Sequence, residues 1–207
     1  MLISALIKIL AAAAAAYIIG SIPTGYIVVK SFTGQDIRTI GSGSTGATNV
    51  KRVMGKKWFF IVLLLDALKG AVPVLTAKFL PFFQISSVKF AGIAAVIAAI
   101  FVLLGHSKSI FLGFTGGKSV ASGVGTILAL SPMVGLSIAV IWAVITYVSK
   151  FVSLGSIIAL ALSPFLMFLF GEPVSYIAYC TIGAIYVIYL HRENIKRLIA
   201  GTENKVR

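Results

Sequence analysis

The sequence predicts an all-α protein that crosses a membrane several times. Of its 207 residues, 59% are apolar and only five are acidic. A soluble domain of this size could not bury so much apolar surface, so lipid must surround most of the chain. Lysines and arginines gather in a few segments between the apolar runs, and the formal net charge is +13. That placement is typical of loops beside anionic lipid and not of a nucleic-acid-binding surface.

Apolar runs predict seven spanning helices, at about 2–29, 58–80, 88–105, 119–131, 133–149, 152–170 and 174–190. The first run follows no basic region and has no small-residue cleavage site, which favours a retained span over a signal peptide. Segment 31–57 and the tail from residue 191 are both basic and should both be cytoplasmic. An even number of crossings must separate them, so 119–131 crosses separately, turning at Ser131-Pro132. The N-terminus is then outside and the C-terminus cytoplasmic, although Lys78 and Lys89 fall on the outer side.

The fourth helix, 119–131, is too short to cross a bilayer alone. At 1.5 Å per residue it extends about 20 Å, against a hydrocarbon core about 30 Å thick. If its outer end reaches the outer surface, the preceding "GFTGGKS" is irregular backbone at membrane depth. Such backbone is tolerated only inside protein or beside water. The sequence therefore predicts a cavity on the cytoplasmic side.

Three segments rich in glycine face that side: "GSIPTGY" at 20–26, "GSGSTGATN" at 41–49 and "GGKSVASGVG" at 116–125. None is a P-loop. In the second, Ala47 stands where that motif has lysine; in the third, the earlier glycine, Gly113, comes one residue too late; and no strand-then-helix context surrounds any of them. Glycine-rich backbone with Ser and Thr hydroxyls nevertheless suits phosphate. Lys118 lies at the start of the short helix. Taken singly, each segment is explained as well by a flexible loop or by close helix packing.

Two further groups of polar residues lie in or beside the apolar helices. Asp66 and Lys69 stand at i and i+3 in the second helix, where they form either a structural ion pair or a substrate contact. His191 and Asn194 begin an amphipathic helix, "RENIKRLIAG", which interfacial anchoring alone would also explain. Ser156, at the inner start of the sixth helix, is of a type that usually joins packed helices.

The ordered combination of segments is more specific than any one of them. "GSIPTGY", "IGSGSTGATN", "LDALKG", "GH" before "GGKSVASGVG", "SLGSI" and "HRENIKRLIAGTENK" occur in this order. Through this ordered set of segments the chain resembles the bacterial acyl-phosphate:glycerol-3-phosphate acyltransferases over essentially its whole length. The resemblance implies one transmembrane domain, 1–207, in the bacterial inner membrane with its active site facing the cytoplasm. It also implies acyl transfer from acyl phosphate to the 1-hydroxyl of glycerol 3-phosphate, giving lysophosphatidic acid and phosphate.

The resemblance also implies residue roles. The acyl phosphate would be held by Ser42, Gly43, Ser44, Gly46, Thr48 and Asn49. Glycerol 3-phosphate would be surrounded by Arg52, Lys118, Ser156, His191 and Asn194, of which His191, Lys118 and Asn194 are the catalytic candidates. Structural roles near the site fall to Asp66, Lys69 and His106. The family usually has asparagine where this chain has Ser44, so the contact at that position should rest on backbone N–H groups and Ser42.

Acyl phosphate is an activated mixed anhydride, so no acyl-enzyme is needed and no Ser-His-Asp arrangement is found. The hydroxyl proton goes either to His191 or to the phosphate of the donor. With five acidic residues and no cluster at ligand spacing, we expect no metal and no cofactor. We expect a monomer whose partners are the two substrates and membrane lipid, with no nucleic acid. The alternative is a membrane transporter of phosphate or phospho-sugar, which would also need anion sites at membrane depth.

Overall fold

The computed structural model describes residues 2–83 and 92–206, which are helical apart from loops and one isolated bridge between Ser109 and Thr115. The all-α prediction is confirmed. The helices are α1 (Leu2–Ser21), α2 (Thr24–Thr33), α3 (Ala47–Met54), α4 (Lys56–Phe79), α5 (Ile93–Ser107), α6 (Val120–Leu130), α7 (Pro132–Ser149), α8 (Val152–Leu169), α9 (Val174–Leu190) and α10 (Arg192–Ile199).

Four segments of the described chain are long and apolar enough to cross a membrane: Ile3–Thr33, Lys56–Phe79, Pro132–Ser149 and Val152–Leu169. Helices α9 and α10 would form a fifth span if taken together, although they are bent by 61°. Helices α5 and α6 are apolar but shorter. The protein is therefore an integral membrane protein by its helices, while the count of seven spans stays a prediction.

The predicted single helix over 2–29 is wrong, because the chain breaks at Ile22–Pro23. Proline has no N–H for the helical ladder and its ring clashes with the preceding turn. Helix α1 accordingly ends at Ser21 and α2 begins at Thr24, whose N–H donates to Ile22 O at 3.0 Å. The predicted start at residue 88 lies outside the described residues.

The bounds of the other predicted helices agree with the structure to within about two residues. The turn between α6 and α7 falls where it was predicted. Ser131 is the N-cap of α7 and Pro132 lies in its first turn. Proline is tolerated there because that N–H has no helical partner. Helix α3 was not predicted.

The contacts within the chain divide it into two compact units, Met1–Thr126 and Ile127–Arg207. In the first, α1 packs against α5 through small residues. A Cβ on Gly20 would lie 2.6 Å from Val102 O, and one on Gly105 would overlap Tyr17 O. Small residues allow this close approach of helices where apolar side chains give no advantage over lipid.

The first unit also contains a second apolar cluster, which holds the segment after α2 in place. Its buried members are Val29, Ile37, Ala47, Val50 and Val62. Trp58 and Phe59, at the start of α4, pack against it. Because the cluster joins α2, α3 and α4, the polar loop between α2 and α3 rests on a packed base.

In the second unit, α8 packs against both α7 and α9, and α10 contacts α8 and α9. Short connections make α7, α8 and α9 run in alternating directions, and α10 leaves the end of α9 at a bend of 61°. The tail returns to the turn between α7 and α8, where the N–H of Val206 donates to Lys150 O at 2.8 Å. The start of α8, the end of α9 and α10 therefore lie at one end of this unit.

Candidate active site

The loop at 41–49 is organised by Asn49, which is 1% exposed. Its Oδ1 accepts from the N–H of Ser42 at 3.1 Å. Its Nδ2 donates to the carbonyls of Ile37, Ile40 and Ser44 at 3.3, 2.9 and 3.0 Å. The amide is thus engaged with backbone on all sides. This geometry makes Asn49 the residue that orders the loop, while its predicted contact with acyl phosphate stays a prediction.

Other predicted residues of the loop have local roles. Gly43 has φ +68°, in the left-handed region that favours glycine, and Ser44 Oγ accepts from the N–H of Gly46 at 3.3 Å. Thr48 is half-buried in the first turn of α3. Arg52 is exposed, and its Cδ would lie 3.6 Å from a Cβ on Gly41. The stem of its side chain is therefore beside the loop, while its predicted contact with glycerol 3-phosphate stays a prediction.

Asp36 and Arg38 form an ion pair in the segment that precedes the 41–49 loop. Arg38 Nε lies 3.0 and 3.1 Å from the two carboxylate oxygens, and Nη2 lies 2.6 Å from Oδ2. The hydrogen bond of Arg38 to the side chain of Asp36 lowers the pKa of that carboxyl from 3.8 to about 2. The carboxylate fixes the guanidinium, which also lies 5.2 Å from the centre of the Tyr26 ring.

A cavity of about 380 Å³ lies beside this pair. Its lining consists of Asp36, Arg38, Thr39, Gly43, Thr45, Thr115 and Gly116. Two of the three glycine-rich segments therefore meet at one cavity, with a guanidinium and three threonine hydroxyls around it. The third segment touches the same loop, because a Cβ on Gly25 would overlap Thr45 O. Gly25 therefore allows close packing of the backbone, which was one of the alternatives to phosphate binding for this segment.

The loop before α6 is held tightly against the end of α5. Gly117 N–H donates to His106 O at 3.1 Å, and Ser119 Oγ donates to Leu103 O at 2.8 Å. Ser119 has φ +58°, an uncommon conformation outside glycine. Lys118, between these two anchored residues, is half-buried at the N-terminal end of α6, where the helix dipole favours anions. Both chain neighbours of Lys118, Gly117 and Ser119, are therefore held by hydrogen bonds to α5.

His191 lies between α9 and α10 and is 3% exposed. Its Nδ1 is 2.8 Å from Val187 O. A carbonyl oxygen can only accept, so this contact requires a proton on Nδ1. In the neutral ring, Nε2 is then the nitrogen that can take a proton, as a general base would.

Asn194 is buried next to a carboxylate that the sequence reasoning missed. Its Nδ2 donates to Glu203 Oε1 at 2.6 Å, and the same oxygen accepts from Ser153 Oγ at 2.8 Å. Arg197 Nε donates to Glu203 Oε2 at 2.7 Å. Burial alone would raise the pKa of Glu203, but the hydrogen bonds from Asn194, Arg197 and Ser153 together bring the pKa below its usual value.

Ser156 lies one turn after Ser153, on the same side of α8. Its Oγ donates to Val152 O at 2.8 Å and accepts from Trp142 Nε1 at 3.2 Å. The bond from Trp142 ties α7 to α8, which is the packing role common for serines in membrane helices. Its predicted contact with glycerol 3-phosphate stays a prediction.

The predicted residues form two groups, one in each unit. The 41–49 loop, Arg52, Lys118 and the buried Asp66, Lys69 and His106 belong to the first unit. The residues of the second are Ser156, His191 and Asn194. The missed residues are Asp36, Arg38, Thr115 and Glu203. The small number of acidic residues was a usable signal for two of them, because an acid in so basic a chain is expected to have a cationic partner.

Among the described residues, no group of three or more His, Cys, Asp or Glu side chains could hold a metal ion. The expectation of an enzyme without metal or cofactor stays a prediction. The first group offers anion binding, and the second offers a histidine able to move a proton.

A family model described as glycerol-3-phosphate acyltransferase matches residues 10–201. The chain belongs to the glycerol-3-phosphate acyltransferase family. This acyltransferase is 46% identical over 207 residues to the glycerol-3-phosphate acyltransferase of Trichormus variabilis, covering 92% of this chain and 88% of that protein. It is 47% identical over 208 residues to that of Nostoc sp., with the same coverage. The family predicted from the ordered segments is confirmed.

The acyltransferase is also similar to solved structures of PlsY (YgiH), an integral membrane glycerol 3-phosphate acyltransferase. The glycerol 3-phosphate form matches with a TM-score of 0.85 and 38% identity, covering 99% of this chain and 96% of that chain. The lysophosphatidic acid form matches with a TM-score of 0.83 and 36% identity, with the same coverage.

Proposed function

We propose that the protein transfers an acyl group from acyl phosphate to the 1-hydroxyl of glycerol 3-phosphate. The products are lysophosphatidic acid and inorganic phosphate, as phospholipid synthesis requires. Family membership supports the acyltransferase activity. Crystal forms of a relative with glycerol 3-phosphate and with lysophosphatidic acid correspond to the acceptor and the product of this reaction.

The observation that carries the choice of donor is the cavity between the 41–49 loop and the loop before α6. Its lining of one guanidinium, three threonines and two glycines suits a phosphate group, because the charge of the seventh lining residue, Asp36, is paired with Arg38. A thioester donor carries no phosphate at its reacting carbon and has no use for such a lining there. An acyl phosphate does, because its leaving group is the phosphate itself.

Glycerol 3-phosphate is assigned to Arg52, Lys118, Ser156, His191 and Asn194. Arg52 and Lys118 would hold the phosphate by charge-assisted hydrogen bonds. His191 and Asn194 would face the glycerol hydroxyls. Asn194 is oriented for this by Glu203, which accepts one of its amide hydrogens.

In the proposed step, the 1-hydroxyl oxygen attacks the acyl carbonyl carbon and a C–O ester bond forms. The bond from the acyl carbon to the phosphate oxygen breaks, and its electron pair leaves with phosphate. The hydroxyl proton goes to His191 Nε2 or to the departing phosphate. Positioning of both substrates and stabilisation of the carbonyl oxyanion by backbone N–H groups and cations supply the acceleration.

The protein is assigned to the bacterial inner membrane as a monomer of seven spans with a cytoplasmic active site. The support is the distribution of charge, because the segment between α2 and α4 and the tail after α9 are both basic. Helices α5 and α6 complete the count, although both are shorter than an ordinary span. The buried surroundings of α6 make that shortness tolerable.

The experiment uses purified protein and labelled glycerol 3-phosphate, with palmitoyl phosphate and palmitoyl-CoA in parallel reactions. Lysophosphatidic acid from palmitoyl phosphate alone is the expected result. Product from the thioester alone would overturn the choice of donor. Product from neither would overturn the activity.

A transporter of phosphate or phospho-sugar is the second candidate. The helix break at Ile22–Pro23 and the short α6 favour it, because transporters bind ions at interrupted helices. Uptake of labelled glycerol 3-phosphate into proteoliposomes without chemical change would support it. Conversion to lysophosphatidic acid in the same vesicles would exclude transport as the main activity.

A further inference from the structure

Three ionisable side chains are buried in the first unit, away from the cavity lining. Asp66, Lys69 and His106 are 1%, 9% and 7% exposed. They lie in α4 and at the end of α5, within otherwise apolar helices. Buried charge is expensive in such surroundings and is retained where it has a use. Neither substrate is assigned to these residues, so their use must be sought in what they touch.

The three residues form a line that starts at the break in the first helix. Lys69 Nζ donates to Ile22 O at 2.7 Å, the carbonyl that Pro23 leaves outside the helical ladder. The same ammonium lies 2.8 Å from Asp66 Oδ1. That contact is an ion pair without hydrogen-bond geometry, so Asp66 Oδ1 has no hydrogen-bond donor among the described residues. The oxygen lies 3.9 Å from His106 Nδ1.

The other side of the His106 ring faces the loop that carries Lys118. A Cβ on Gly117 would overlap His106 Nε2 and lie 2.9 Å from Cδ2. The backbones of the same two residues are also in contact, because Gly117 N–H donates to His106 O at 3.1 Å. A Cβ on Gly116 would overlap that same oxygen. His106 is therefore the surface on which Gly116 and Gly117 rest.

Helix α4 supports the same region from a second direction. A Cβ on Gly70 would overlap Ser122 O, and one on Gly125 would overlap Ala67 O. The stretch of α4 that holds Asp66 and Lys69 thus packs directly on the first turns of α6. Lys118 lies between these two supports, one formed by the His106 ring and one formed by α4.

We propose that Asp66, Lys69 and His106 are positioning residues that fix the Gly116–Lys118 loop, and with it the binding of the phosphate group of glycerol 3-phosphate. Lys69 is held by the carbonyl at the helix break and Asp66 is paired with Lys69. The His106 ring lies 3.9 Å from that carboxylate and packs under Gly117. The inference rests on the proposed function for the identity of the ligand. It goes beyond a stabilising ion pair, which would leave ligand affinity unchanged.

The test is a pair of substitutions that complement each other in size. Gly117→Ala drives a methyl group into the His106 ring, and we expect the Kd for glycerol 3-phosphate to rise about 10- to 100-fold. His106→Ala also raises the Kd, because the loop loses its support. The double variant His106→Ala/Gly117→Ala binds several-fold more tightly than Gly117→Ala alone, since the methyl group then fills the vacated space.

The matched control is Gly123→Ala in α6. Its Cβ would have Leu103 Cδ2 as its nearest neighbour, at 3.4 Å, which is ordinary contact. We expect wild-type affinity from this variant. If Gly117→Ala and Gly123→Ala bind equally well, the inference is overturned, and this comparison holds even where His106→Ala does not fold.

A remote variant separates positioning from mere stability. Asp66 reaches the loop through its charge contact with His106, so Asp66→Asn should raise the KM for glycerol 3-phosphate while changing kcat less. A variant that lowers the melting temperature and leaves Kd and KM unchanged would overturn the inference. Binding of glycerol 3-phosphate is measured by calorimetry as well as by turnover. If the wild-type protein binds glycerol 3-phosphate but forms no product, the proposed function is refuted. The Kd values of the variants then still test the inference.

Discussion

Replacing Asn49 with alanine should release the 41–49 loop without unfolding the helices. The side chain makes one accepted and three donated hydrogen bonds, but its two N–H groups limit the donated bonds to about two at full strength. At about 1 kcal/mol each, the loss is about 3 kcal/mol of local stability. That corresponds to an increase of about 100-fold in the open population of the loop, since 1.4 kcal/mol is tenfold.

The assay is hydrogen exchange of the backbone amides at 41–46 in detergent, together with the KM for palmitoyl phosphate. We expect about 100-fold faster exchange at the N–H of Ser42, and a higher KM, because a disordered loop must be ordered on binding. Asn204→Ala is the matched control, as that asparagine is exposed and has no hydrogen bond in the described chain. Wild-type exchange rates in Asn49→Ala would refute the reasoning.

Three further predictions concern the charged groups of the site. Glu203→Gln should lower the melting temperature; because the pKa of Glu203 lies below its usual 4.5, the advantage of the wild type is full above that pH and shrinks in acid. Melting curves that stay equally far apart down to pH 3 would contradict it. Arg38→Lys should raise the KM for acyl phosphate about tenfold, since a lysine cannot keep the bidentate pair with Asp36 and still donate to a ligand; an unchanged KM would exclude Arg38 from the site. His191→Ala should lower kcat by about 100-fold at saturating substrate if His191 is the base; a normal kcat with a raised KM would leave proton transfer to the substrate phosphate.

Local signals in the sequence predicted most of the helices. The length of each apolar run and the position of Pro132 were enough for α7, α8 and α9 and for the short α6. Pro23 carried the same kind of signal, but the long apolar run around it favoured a continuous helix. The break there is stabilised by Lys69, a residue of another helix, and such a contact leaves no trace in local sequence.

The residue types of the candidate site could be predicted from the sequence, but the hydrogen bonds between them could not. The ordered segments predicted the family and the residue types. They did not predict that the amide of Asn49 would be used by backbone up to 12 residues away. Glu203 was missed although two of its partners, Asn194 and Arg197, lie within nine residues, and its bond to Ser153 spans 50 residues. Hydrogen bonds over such separations depend on how the helices pack, which composition and periodicity do not reveal.

The shortness of α6 bears on how the protein withstands the electrical potential of the membrane. Its 11 residues extend about 16 Å, roughly half of a hydrocarbon core about 30 Å thick. Under the seven-span topology proposed above, an aqueous cavity at its N-terminal end would bring cytoplasmic potential deep into the bilayer. The whole voltage would then fall across about half the usual distance, doubling the local field. In that topology, the close contact of Gly125 with the backbone at Ala67 would be one of the contacts that exclude water and ions from this thin region.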